Sequence, residues 1–82
     1  MQWQSIGHSL EAVFKDSSSI WLRHSSQTSN HPCLILEINP QGDITNLYTP
    51  DGSHAGSIDS RIWTINLVKE HLPHLQNSKT SH

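Results

Sequence analysis

Hydrophobic and polar positions along this chain alternate between two periods. Residues 5–15, SIGHSLEAVFK, place Ile6, Leu10, Val13 and Phe14 at i, i+4, i+7 and i+8, one stripe of a helix. Ser5 fits as its N-cap. The same residues also fit a strand with Leu10, Ala12 and Phe14 on one face. The helix is the preferred reading, although Gly7 in its first turn costs it up to ~1 kcal/mol. Asp16 to Ser19, DSSS, is a run of turn formers. IWLRH, residues 20–24, then reads as a short strand, and SSQTSNHP, residues 25–32, as a mobile loop.

The period of two is clearest in HPCLILEINPQGDITNLYTPDG, residues 31–52. Over Cys33 to Asn39, Leu34, Leu36 and Ile38 share one face, and Cys33, Ile35 and Glu37 share the other. In NPQGD, Pro40 presets the first turn residue and Gly42 can take a left-handed conformation. Ile44 to Thr49 returns as the partner strand, and TPDG turns the chain again. Residues 53–58 read as an edge strand or a loop. The helical period resumes in IDSRIWTINLVKEHLP, where Ile58, Ile62, Ile65 and Leu72 form a stripe that Trp63, Leu67 and Val68 widen. Trp63 is therefore expected in the core. Ser57 or Asp59 can cap this helix, and Pro73 is expected to stop it.

These elements give an α+β two-layer sandwich in the order helix, three or four antiparallel strands, helix. Residues 1–73 form one small domain, and 74–82 read as a polar, disordered tail. The order resembles the outline of double-stranded-RNA-binding domains, but the second helix lacks a basic start.

Composition narrows the choice of function. At 82 residues, with 33% hydrophobic and 15% charged positions, the chain allows one domain with a small core. The net charge is −2, and the five basic residues, Lys15, Arg23, Arg61, Lys69 and Lys79, are never adjacent. Duplex nucleic acid is therefore not an expected partner, because backbone binding needs clustered positive charge. Cys33 is the single cysteine, so no intrachain disulfide forms, as suits a cytoplasmic protein. The start, MQWQSIGHSL, has neither a basic segment nor a long apolar run, and no signal peptide or membrane span is expected.

Seven histidines raise the question of metal. His31 and Cys33 lie two apart, and His71 and His74 three apart, but no second pair at a recognisable spacing completes a four-ligand site. No metal, cofactor or small-molecule ligand is inferred. Ser, His and Asp abound, yet a catalytic triad is a geometry and there is no G-x-S-x-G elbow. No catalytic residue is assigned. DGSHAGSID, residues 51–59, leads into a helix but matches no phosphate-binding pattern.

The strand faces carry the functional expectation. Helices can cover only one face of a small sheet, yet both faces here bear apolar residues. Trp21 and Ile35 fall on the second face, with Arg23 beside Trp21 in the alternation. Trp21, Arg23 and Ile35 are thus the candidate interaction surface of a small module that binds a protein partner or itself as a homodimer. The competing possibility is that loops or the N-terminal MQW segment cover that face. A nucleic-acid-binding or regulatory protein using Trp21 and Arg23 is the alternative function, and a small enzyme or metal binder using the histidines is the second alternative.

Overall fold

The computed structural model describes residues 2–53 and 56–80. Five strands, β1 (Gln4–Gly7), β2 (Leu10–Asp16), β3 (Ser19–His24), β4 (Leu34–Ile38) and β5 (Ile44–Tyr48), precede one helix, α1 (Ile58–Thr80). The strands form one antiparallel sheet in chain order, a meander. The α+β class holds. The helix expected over residues 5–15 does not form, so neither the two-helix order nor the double-stranded-RNA-binding outline applies.

That segment is a hairpin. Its turn residues His8 and Ser9 have φ of 56° and 61°, flanked by Gly7 at 81°. Positive φ at both central residues matches the right-handed twist of the flanking strands. The strand reading of β2 holds instead: Leu10 and Ala12 are buried, and Phe14 packs against them. Val13, assigned to the helical stripe, faces the other way.

The remaining turns follow the residues that mark them. The Asp16 carboxylate accepts the Ser18 N–H at 2.8 Å and the hydroxyls of Ser18 and Ser19 at 2.9 and 3.0 Å. Gly42 has φ of 88° and donates its N–H to the Asn39 carbonyl at 2.9 Å. At residues 49–53 the Gly52 N–H reaches the Thr49 carbonyl at 2.9 Å, and Asp51 accepts the Ser53 N–H at 3.0 Å. Residue 53 and residues 56–57 are loop; residues 54 and 55 lie outside the described residues.

Helix α1 closes one sheet face. Ser57 caps it, its hydroxyl accepting the Ser60 N–H at 3.2 Å. Leu67, Val68 and Leu75 join Ile6, Leu10, Ala12, Ile20, Leu22, Leu36, Ile38 and Leu47 in one buried cluster. Thr64 is buried with them because its hydroxyl donates to the Ser60 carbonyl at 2.9 Å, which leaves no polar group unpaired. Pro73 does not stop the helix, which runs through it to Thr80. Pro73 and Lys69, whose carbonyl loses its partner, are both exposed, so water can satisfy that carbonyl. Two residues after Pro73, Leu75 is buried, which favours keeping the helix intact. The expected tail is thus helical from 74 to 80, and 81 and 82 lie outside the described residues.

Trp63 is a second correction. It is 49% exposed, as are Ile58 at 65% and Ile62 at 52%. The buried face is set by Thr64, Leu67, Val68 and Leu75, and that register turns Trp63 outward, where its ring meets His8 edge-on at 5.0 Å.

Candidate functional site

Strand pairing places the candidate residues together. Val13 lies opposite Trp21, Trp21 opposite Ile35, and Ile35 opposite Tyr48. Opposed residues project to the same side of a sheet, so these four form one row across four strands, on the face away from α1. All four are half-buried, as closely spaced neighbours on a sheet surface are. Trp21 and Ile35 are direct cross-strand partners, and Arg23 lies on the same face two residues along β3.

Two polar flanks border the row. On one side Glu11 pairs with Arg23, and Arg23 Nε donates to Glu11 Oε1 at 2.8 Å. The other side carries Lys15, Ser19, Glu37 and Asn46, with Ser19 opposite Glu37 and Glu37 opposite Asn46. Asn46 Nδ2 donates to Glu37 Oε1 at 3.1 Å, and Lys15 Nζ sits 5.2 Å from the Trp21 ring centre. Glu11 and Arg23 oppose Lys15 and Glu37 in sign, so the face is charge-balanced.

The first flank is partly covered. The Trp3 ring lies 4.4 Å from the Arg23 guanidinium carbon, and its indole N–H donates to Asn30 Oδ1 at 2.9 Å. Arg23 also donates to the Ser29 carbonyl. Its side chain is 13% exposed and that of Glu11 is 22% exposed. The N-terminal segment and the β3–β4 loop therefore roof the Arg23 end. Among the described residues, no contact from that segment or loop reaches Trp21, Ile35 or Tyr48, and Trp21 carries only the Lys15 ammonium near its ring.

Both outer strands are blunted. β1 has a register break between Ser5 and Gly7, and Ser5 Oγ accepts the Gly7 N–H at 3.3 Å. On β5, Thr45 is an extra residue between the pairs Ile38–Ile44 and Glu37–Asn46. The Leu47 N–H donates to Asn46 Oδ1 at 3.0 Å. Bulges and self-capped amides of this kind discourage strand addition at a sheet edge.

The sequence reading did not place Val13, Tyr48 or Lys15 at this site; it put Glu37 on the face of Ile35 without a role, and Trp3 entered only within the MQW segment named as the alternative cover of that face. Strand alternation on the sequence carried the signal for Lys15 and Val13 once residues 10–16 are taken as a strand. Tyr48 was masked by the Thr45 bulge, which puts Ile44 and Leu47 on the core side three residues apart.

A second apolar surface was also missed. A groove of about 320 Å³ between α1 and β5 is lined by Thr45, Leu47, Ile58, Ile62 and Ile65, with Arg61 at its rim. Cys33 is half-buried, and burial pushes its thiol above the ordinary value, which disfavours the nucleophilic thiolate. Among the described residues no three His, Cys, Asp or Glu side chains group as metal ligands, and no helix is long and apolar enough to cross a membrane. The chain matches no protein-family model, no curated protein and no solved structure.

Proposed function

We propose that this protein is a small interaction module that binds a protein surface through the sheet face opposite its helix. The observation that carries this reading is the in-register row Val13–Trp21–Ile35–Tyr48. An aromatic at the centre of an apolar patch with a polar rim is the usual anatomy of a binding surface. The blunted edges support the face over strand addition as the route of association. Single-stranded nucleic acid also stacks on aromatic sheet faces, but it needs a basic groove beside them. Here Arg23 is tied to Glu11 and roofed by Trp3, and Glu37 balances Lys15.

A second docking surface is favoured by one observation: Ile58, Ile62 and Trp63 are the most exposed large apolar side chains among the described residues. A photo-cross-linking residue at position 35, and separately at position 62, distinguishes the two. Protein adducts at position 35 that vanish when Trp21→Ser is added support the sheet face. Adducts at position 62 alone move the site to the helix, and absence of adducts at both rejects the interaction reading.

A further inference from the structure

Several features of the open face bear on what it receives. The apolar row runs across the strands, and its two flanks each carry one negative and one positive residue but differ in height. The Glu11–Arg23 flank is raised by Trp3 and Asn30 stacked above it. The Lys15–Glu37 flank is exposed. Among the described residues, Lys15 and Glu37 enter no ion pair, whereas Glu11 and Arg23 pair with each other.

From these we infer that the occupant is a second copy of this chain, related by a two-fold axis lying along the Val13–Trp21–Ile35–Tyr48 row. This rests on the sheet-face reading above and adds the identity and orientation of the partner. A half-turn about that line returns the row to itself, so Trp21 meets Trp21 of the second copy, as in any isologous contact. The same rotation exchanges the flanks. Glu11 of each copy then lies opposite Lys15 of the other, and Arg23 lies diagonal to Glu37 of the other. Lys15 and Glu37 thereby gain an opposite neighbour, and Glu11 and Arg23, already paired with each other, gain a second. The raised Trp3–Asn30 end of each copy falls over the uncovered end of the other.

The alternative axis, parallel to β3, sets Lys15 opposite Glu37 but is disfavoured by two other contacts. It sets Arg23 against Arg23, and it brings the two raised ends into collision. Five strands about 4.8 Å apart and about five residues long give a face of roughly 24 by 17 Å. That is about half of the ~800 Å² per partner typical of stable complexes, so the dimer belongs to the weak, reversible class.

Sedimentation velocity on the full chain, from about 5 µM to about 1 mM, reads the association directly. A concentration-dependent dimer is expected, abolished by Trp21→Ser or, as an independent reporter at the end of the row, Tyr48→Ser. Each variant is first checked for its native circular dichroism. Lys15→Glu and Glu11→Lys each place like charges across the axis, and each is expected to weaken self-association about tenfold or more. Mixing these two variants pairs every reversed charge with its opposite, and a heterodimer is expected to form. If Lys15→Glu is rescued by Glu37→Lys instead, the axis runs along the strands and the inference is overturned. A chain monomeric throughout the range also overturns it. In that case the sheet-face reading stands or falls separately, on whether position 35 cross-links to a different protein.

Discussion

The two faces of this sheet are built from neighbouring residues of the same strands, yet they obey different rules. The helix-covered face is aliphatic and nearly sealed: Ala12, Ile20, Leu22 and Leu36 have no measurable exposure. The opposite face uses one apolar row with aromatic centre and end, bordered by charges that pair within the sheet or stay in water. Burial is thus a property of what lies above a strand, not of the strand. Single-residue alternation lets a stretch such as Leu34–Ile38 serve a core and a surface together.

That contrast can be broken directly. Leu36→Ala removes a fully buried side chain and is expected to lower unfolding free energy by about 2–5 kcal/mol. Its neighbour Ile35→Ala, on the open face, is expected to cost about 1 kcal/mol or less in the monomer. Equal losses in denaturant melts would mean that the second face is also core. Pro73→Ala restores a helix-interior amide at an exposed position and is expected to stabilise the chain, by up to about 3 kcal/mol. A lower melting temperature for this variant would show that the proline shapes the docking of Leu75 and is not merely tolerated.

Smaller effects sharpen the picture at its margins. Trp63→Ser is expected to cost about 1 kcal/mol or less, since it forfeits mainly the edge-on contact with His8. Cooperative unfolding of that variant at room temperature would return Trp63 to the core. The Asp16 carboxyl is held below its ordinary value, first by the Ser18 N–H and then by the Ser18 and Ser19 hydroxyls. Its folded-state pKa is therefore depressed. The stability it contributes is present above the unfolded-state pKa and is lost as pH falls through the folded one. Asp16→Asn is expected to flatten the acid side of the stability profile below about pH 4 and to leave its shape near neutrality unchanged. An unaltered acid limb would remove Asp16 as a determinant of the β2–β3 turn.

How much of this the sequence made legible depended on local punctuation. The β4–β5 hairpin could be read because Asn39-Pro40-Gln41-Gly42 spells its turn. The β1–β2 hairpin turns on His8 and Ser9 rather than on the Asn-Gly or Asp-Gly pair that marks such turns, so its sign in the sequence was weak. Without a visible turn, Ile6, Leu10, Val13 and Phe14 matched a helix by coincidence of spacing. The pairing of Trp21 with Ile35 was foreseeable from alternation. Arg23 was expected on the same open surface, and cover by the MQW segment or loops was the competing possibility; that Trp3 and the β3–β4 loop reach the Arg23 end alone is a tertiary fact that alternation does not carry. Helix α1 was legible in existence but not in rotation. A buried threonine satisfied by its own helix displaced the face away from the more apolar Trp63 and Ile62.

Every strand in this sheet pairs with its successor in the chain. Loop-closure entropy is therefore small at each step, and the sheet can zip from any hairpin without long-range search. Only α1 must return over a distance, since it packs against β1 and β2 as well as β5. This implies two kinetic regimes. Hairpin growth is fast, and the rate-limiting event is the landing of Leu67, Val68 and Leu75 on a sheet whose inner face is still wet. Substitutions in the meander should then act chiefly on the folding limb of a chevron, whereas those at Leu75, whose contacts are being made in that step, should act on both limbs.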